Sequence, residues 1–236
     1  MSAVATAEPA SLPEVLERMR EIEAGLPRTD GVACFVRLYL AVTEGVQAEL
    51  RGTAFAAPRF LAHLDVAFAD LFFGALEAYE RDAATAPRAW LPLFEARAHR
   101  GILPLQFALA GMNAHINGDL PVALVTTCGE LGVELRPDGP EHRDFMRVNP
   151  LLARVEERVR SQYLTGPLGL LDRMVHRFHR IGDVVAMWDV ARAREAAWAN
   201  AQALWALRGQ PELSSRYLVA LDRMVGLAGR GLLRPI

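Results

Sequence analysis

The residues best suited to chemistry lie near the middle of the chain, between Gly111 and Pro121. His115 and Asp119 are four positions apart in this segment, a spacing that places two side chains close together on a helix. A carboxylate so placed can fix the tautomer of an imidazole and raise its basicity. The spacing therefore predicts a catalytic pair, in which His115 is the general base or acid and Asp119 orients it.

Asp65 is the second candidate for an acid–base role. It lies on the most apolar stripe of a predicted helix, between Leu61 and Phe68. A carboxylate in apolar surroundings needs either a charged partner or a raised pKa. We therefore predict that Asp65 is catalytic. The alternative is a structural ion pair with an arginine such as Arg37 or Arg97.

Further polar and aromatic residues are candidates for substrate binding. Polar side chains on two faces of an otherwise apolar helix must either meet water in a cavity or find partners in the core. Small neighbours such as Ala108 and Gly111 would let a ligand or another helix approach closely. The predicted substrate-binding residues are Gln106, Met112, Asn113, Asn117, Phe72, Trp188, Arg37 and Tyr39.

A structural interpretation of the same segment stays open. Asp119 followed by Pro121 is typical of a helix start, and Asn117-Gly118 is typical of a helix end. The segment would then form two helices that meet at a tight corner near Asn117. Capping accounts for Asp119, but it does not account for His115 and the neighbouring amides together.

The elements that position these residues are predicted to be helices throughout. Apolar residues recur at helical spacing, and no run alternates with the period of two that is typical of a strand. One of the longer predicted helices runs from Pro140 to Tyr163. The sequence predicts an all-α fold, a single-domain bundle of about nine or ten helices over residues 11–236, after a flexible N-terminus at residues 1–10.

Composition narrows the class of protein further. With 236 residues, of which 52% are hydrophobic, the chain can bury a sizeable core. The net charge is −2 and no basic stripe occurs, so we expect no nucleic-acid partner. Apolar stretches are too short for a membrane span and no secretory signal is visible, so we expect a cytoplasmic protein. Cys34 and Cys128 are predicted to be buried.

Several segments together resemble a known family. DGVACFVRLYLAVTEGV, FLAHLDVAFADLFF, PRAWLPLFEAR and DFMRVNPLLA contribute, and the GMNAHINxDLP block at residues 111–121 is the most distinctive. They resemble an actinobacterial family known only as a domain of unknown function, which fits a chain whose 26 basic residues are all arginine. The resemblance implies a helical bacterial protein. The occurrence of the family near natural-product pathways implies a polyketide- or terpenoid-like substrate.

A shorter stretch, from His115 to Leu120, is similar to the His-x-x-Gly-Asp motif of the zinc-dependent phospholipase C and single-strand nuclease superfamily. That motif implies metal binding by His115 and Asp119. The superfamily has a further histidine ligand soon after the aspartate, whereas residues 120–125 contain no metal-ligating side chain. The resemblance therefore implies, as an alternative, a single divalent metal held by His115, Asp119 and either Asp65 or His99.

Three functions follow from these observations. The leading one is a small-molecule enzyme, a cyclase or isomerase without a cofactor, that acts by His/Asp acid–base catalysis on an apolar natural-product-like intermediate in an enclosed pocket. The first alternative is a metal-dependent hydrolase that uses His115 and Asp119 as ligands. The second is a non-catalytic ligand-binding or partner protein. The sequence leaves the oligomeric state open.

Overall fold

The computed structural model describes residues 11–50, 55–154 and 189–235. These residues form helices and the turns that join them, and no strand occurs among them, which confirms the predicted all-α fold. Within the same three ranges, no helix is both long and apolar enough to cross a membrane. The predicted flexible N-terminus at residues 1–10 and the helices predicted between 155 and 188 lie outside the described residues.

The helices vary from one and a half turns to more than six. In chain order they are α1 (Leu12–Gly25), α2 (Gly31–Leu50), α3 (Pro58–Arg81), a 3-10 turn (Ala83–Thr85), α4 (Leu91–Ala96), α5 (Pro104–Asn113), a π-helix (Ala114–Asp119), α6 (Leu120–Leu131), α7 (Pro140–Arg147), α8 (Val190–Ala206) and α9 (Pro211–Leu232). Residues 149–154 are helical as well.

Local sequence signals explain where most of these helices begin. The Glu14 carboxylate accepts a hydrogen bond from the backbone N–H of Ser11 at 2.6 Å, which closes the start of α1. Proline stands in the first turn of α3, α4, α5 and α7. Backbone N–H groups in the first turn have no acceptor within the helix, so the missing N–H of proline costs no hydrogen bond there. Pro92 therefore opens α4.

The segment from Pro104 to Leu131 is one continuous rod, which we call the central rod: α5, the π-helix and α6 follow one another without a break. The predicted corner near Asn117 is therefore wrong. An α-helix would bring the ring of Pro121 against the carbonyl of Asn117, and the wider turn avoids this contact. The backbone N–H of Leu120 donates to the carbonyl of His115, five residues back.

The central rod is the axis of the bundle. It contacts α2 and α9 through α5, and α3 and α8 through α6. Gly111 lets α2 approach closely, because a Cβ atom built on it would lie 2.4 Å from the Phe35 ring. Cys34 and Cys128 are both buried, as predicted.

One predicted helix is interrupted. The helix predicted from Pro140 to Tyr163 ends as α7 at Arg147, and a turn at Val148 precedes the helical residues 149–154. The prediction of an unbroken helix is therefore wrong at Val148, whose side chain is buried and lines the cavity described below.

The close packing at Gly111 yields a stability prediction. Gly111→Ala forces its methyl group into the Phe35 ring, so we expect the free energy of unfolding to fall by about 1–3 kcal/mol. Gly129→Ala is the matched control, because a Cβ atom there meets nothing within 4 Å. This helical position should gain about 0.5–1 kcal/mol. Urea denaturation followed by circular dichroism measures both changes; equal effects of the two substitutions would contradict the close contact.

Candidate acid–base site

The predicted pair of His115 and Asp119 exists as a hydrogen-bonded dyad. The Nδ1 atom of His115 lies 2.9 Å from Oδ2 of Asp119. The indole N–H of Trp90 donates to the same carboxylate, at 3.0 Å to Oδ2 and 3.3 Å to Oδ1. Asp119 makes no side-chain cap of α6. The capping interpretation of Asp119 is therefore wrong, since its carboxylate holds the imidazole instead.

Aromatic rings surround the imidazole. The Phe68 ring stacks on His115, with 3.4 Å between ring centroids and 4° between the planes. Tyr39 meets the imidazole at an angle of 67° and a centroid distance of 4.3 Å. Phe35 and Trp90 lie further out, at 5.7 and 5.9 Å. These rings keep water away from the dyad and fix the plane of the imidazole.

The second ring nitrogen of His115, Nε2, is buried and has no protein partner in the part of the chain that the structure describes. His115 lines a cavity of about 50 Å³, so Nε2 is the nitrogen left to meet a ligand. The cavity wall is mostly apolar; six of its residues are Val42, Leu61, Leu64, Phe68, Ile116 and Leu120.

Burial acts on both members of the dyad. It lowers the pKa of His115 well below its usual value. It raises the pKa of Asp119 well above its usual value, against the opposing effect of the Trp90 N–H. Both shifts disfavour charge. When the Nδ1–H of His115 donates a hydrogen bond to the Asp119 carboxylate, the lone pair of the ring lies on Nε2.

Asp65 lies at the same cavity, where α3 places it. Its Oδ2 atom is buried and has no hydrogen-bond partner in the described part of the chain. Burial raises the pKa of Asp65 to about 7, and the charge of Arg194 opposes this rise. The alternative of an ion pair with Arg37 or Arg97 is wrong, because these arginines bind Glu23 and Asp30.

A buried arginine completes the polar part of the cavity, and sequence reasoning missed it. Arg194 of α8 donates from Nε to the Asn149 side chain and from Nη2 to the Phe145 carbonyl, each at 2.7 Å. Its guanidinium lies 3.8 Å from the centroid of the Phe145 ring. Burial lowers the pKa of Arg194 to about 10, so it remains charged at neutral pH. No sequence signal separates it from the other arginines of α8.

Two of the predicted substrate-binding residues lie at the cavity. Tyr39 and Met112 both line it. Burial raises the pKa of Tyr39 well above its usual value, so its hydroxyl stays protonated. Thr43, one turn beyond Tyr39 on α2, also lines the cavity and was not predicted. Its hydroxyl donates to the Tyr39 carbonyl at 3.0 Å.

The three predicted amides are not among the residues that line the cavity, so their assignment to substrate binding is corrected. The Gln106 side chain donates to the carbonyls of Leu232 and Arg234, both at 2.9 Å. Asn113 donates to the carbonyl of Val225 at 3.0 Å and accepts from Asn117 at 3.2 Å. These amides satisfy backbone groups at and beyond α9 that would otherwise be buried without partners.

The remaining candidates lie elsewhere. Phe72 is buried in the aromatic cluster, 5.1 Å from the ring centroids of both Phe35 and Trp90, and is not part of the cavity wall. Arg37 binds Glu23 at 2.9 Å and does not line the cavity either. Trp188 lies outside the described residues.

The geometry does not favour the metal alternative. Nδ1 of His115 and Oδ2 of Asp119 are hydrogen-bonded to each other, so these two atoms are not arranged around a shared ion. His99 accepts a hydrogen bond from the backbone of Gly101 in an exposed turn. Across the described ranges, no group of three or more His, Cys, Asp or Glu side chains is arranged to hold a metal ion.

The raised pKa of Asp65 predicts a stability that depends on pH. The folded protein keeps a proton up to about pH 7 that the unfolded chain releases near pH 4, so the free energy of unfolding falls as the pH rises through this window. Asp65→Asn has no carboxyl group to titrate at this position, so this fall in the free energy of unfolding should not occur in the variant. At pH 8 we expect the variant to be more stable than the wild type by about 1–3 kcal/mol, a value reduced for partial exposure of the residue.

Thermal unfolding measured from pH 4 to pH 8.5 tests this prediction. The difference between Asp65→Asn and the wild type should grow between pH 4 and pH 7 and then level off. Asp138→Asn, a change at an exposed loop position, serves as the control and should follow the wild type. A difference that stays constant over the whole range would mean that Asp65 titrates normally.

Comparisons with known proteins give a family and no activity. No curated protein and no solved structure matches the chain. A family model matches residues 12–235, which is nearly the whole sequence. The predicted membership of a family of unknown function is therefore confirmed. The chain belongs to the family of unknown function DUF5995.

Proposed function

We propose that the protein is a small-molecule enzyme that moves protons on an apolar substrate, as a cyclase or isomerase does, without an organic cofactor. The observation that carries the proposal is the state of His115, whose side chain lines a cavity: one ring nitrogen is bound to Asp119, and the other is buried without a partner among the described residues. Most buried polar atoms with a purely structural role have hydrogen-bond partners, so the unpaired nitrogen favours a functional role. The polyketide- or terpenoid-like substrate class comes from the family resemblance and forms part of the proposal.

The dyad supplies the base. In the base form of the dyad, the Asp119 carboxylate, whose charge the Trp90 N–H stabilises, accepts a hydrogen bond from the Nδ1–H of His115, which leaves the lone pair on Nε2 to remove a proton from the substrate. The resulting imidazolium is stabilised by the carboxylate beside it. Asp65 supplies the acid, because its pKa of about 7 keeps much of it protonated at neutral pH. A base and an acid that line the same cavity suit an isomerisation, in which one substrate atom loses a proton and another substrate atom gains one.

The size of the cavity limits the substrate. A water molecule needs roughly 10–15 Å³ of such space, so about 50 Å³ holds around four waters, about a third of the roughly 150 Å³ that takes up a benzene ring. A natural-product intermediate larger than this enters the cavity with one end only. The reacting group is therefore compact.

Replacement of His115 tests the proposal. A thermal-shift screen of compact apolar carbonyl compounds and olefins identifies ligands, and product analysis identifies turnover. With a compound that turns over, we expect His115→Gln to lower kcat by about 10²–10⁴-fold, since it removes the general base, with little change in ligand affinity.

His63→Gln is the matched control, because His63 lies at the surface and pairs with Glu130. It should leave kcat unchanged. Compounds that bind but are never converted by the wild type would instead favour a non-catalytic binding protein.

Elemental analysis separates the proposal from a metal-dependent hydrolase. We expect protein purified without chelator and without added metal to contain zinc, manganese and iron well below one atom per chain. Asp119→Asn, which disrupts the predicted ligand set, should leave these contents unchanged. Stoichiometric metal in the wild type that is lost in Asp119→Asn would contradict the acid–base proposal.

A further inference from the structure

Acid–base catalysis by the dyad gives no role to Arg194, although this residue lines the cavity. A charged side chain in an apolar cavity is costly unless its donors are satisfied. The described residues accept hydrogen bonds from its Nε and Nη2 atoms and none from Nη1. Two partners and the Phe145 ring fix the guanidinium in place. It is therefore a preorganised donor whose Nη1 group has no acceptor in the described part of the chain.

Asp65 stands close enough to Arg194 for each charge to shift the pKa of the other. No ion pair joins them, however, among the contacts within 4 Å that the structure describes. An acceptor with an unpaired buried oxygen and a donor whose Nη1 group has no acceptor among the described residues thus line one small cavity without meeting.

We infer that the cavity binds an enolisable ketone or aldehyde whose carbonyl oxygen accepts hydrogen bonds from Arg194 and from protonated Asp65, with the α-carbon next to Nε2 of His115. This inference rests on the proposed function and adds the substrate class. Arg194 acts as a substrate-binding residue that stabilises the negative charge developing on the oxygen.

The reaction step balances without a co-reactant. Nε2 of His115 takes a proton from the α-carbon, and the electrons of the C–H bond form the carbon–carbon double bond. The carbonyl π electrons move to the oxygen, which takes the proton of Asp65 and becomes an enol hydroxyl. Return of a proton from the imidazolium to a different carbon of a conjugated system gives an isomer, and the enol proton returns to Asp65.

The same oxygen keeps two hydrogen bonds throughout. In the ketone it accepts from Arg194 and from Asp65; in the enol it accepts from Arg194 and donates to the Asp65 carboxylate. Because neither partner has to move, the site favours the charge distribution of the transition state over that of the substrate.

Phenol and toluene test the oxygen site without turnover. Both probes can place their substituent, a hydroxyl or a methyl group, in the cavity, and phenol alone carries an enol-like oxygen. We expect the wild type to bind phenol about tenfold or more tightly than toluene by isothermal titration, the effect of a hydrogen bond to a charged donor. Arg194→Met should abolish this preference.

Arg18→Met is the matched control, because the Arg18 guanidinium also lies over a phenylalanine ring, at 4.2 Å, but neither residue lines the cavity. It should keep the preference for phenol. If Arg194→Met does not fold, as judged by circular dichroism, Arg194→Gln takes its place with the same expected loss. Equal binding of the two probes by the wild type, or a preference that survives both substitutions, would overturn the inference.

Exchange of the α-protons of cyclohexanone in D₂O, followed by proton NMR, separates the inference from the proposed function. We expect exchange by the wild type, none above background by His115→Gln, and at least about tenfold slower exchange by the folded Arg194 variant. Exchange that depends on His115 and is undiminished in the Arg194 variant overturns the inference and leaves the proposed function standing. No exchange by the wild type contradicts the proposed function, while the phenol measurement still decides whether Arg194 binds the oxygen.

Discussion

The hydrogen-bonded chain from Trp90 through Asp119 to His115 is the constraint on which the site depends. It ties the segment before α4 to the central rod, and it can form only if the carboxylate and the imidazole point to the same side. The aromatic rings around it exclude water, so each hydrogen bond in the chain is both stronger and more costly to lose than at the surface. The same hydrogen bonds therefore hold the bundle together at this point and set the geometry of the site.

The central rod separates two roles on its two sides. On one side Gln106 and Asn113 bind backbone carbonyls at and beyond α9, which fixes the C-terminal helix to the bundle. On the other side His115, Met112 and Ile116 face the cavity. Because the amides already have protein partners, the polar groups left for a ligand are His115, Asp65 and Arg194. This division explains why one apolar helix carries so many polar residues.

Sequence reasoning was right where the interaction is local. The spacing of four predicted the His115–Asp119 pair, and helical periodicity predicted that Asp65 lies on the apolar stripe of its helix, where it lines the cavity. Sequence reasoning failed where partners are distant in the chain: Arg194 is 45 residues from its side-chain partner Asn149, and Trp90 is 29 residues from Asp119. The corner near Asn117 was predicted because Asn-Gly and proline signals end most helices, and tertiary contacts on all sides of the rod override them here.

The π-helix has a consequence for the length of the chain at this point. Its turn contains one residue more than an α-turn, so the extra residue is taken up within residues 114–119 without rotating α6 relative to α5. Loss of one residue there would restore an α-turn and keep the packed faces of both helices in register, but it would press the ring of Pro121 against the carbonyl one turn before it. The wide turn therefore lets a proline stand inside the rod while both halves of the rod keep facing the same neighbouring helices.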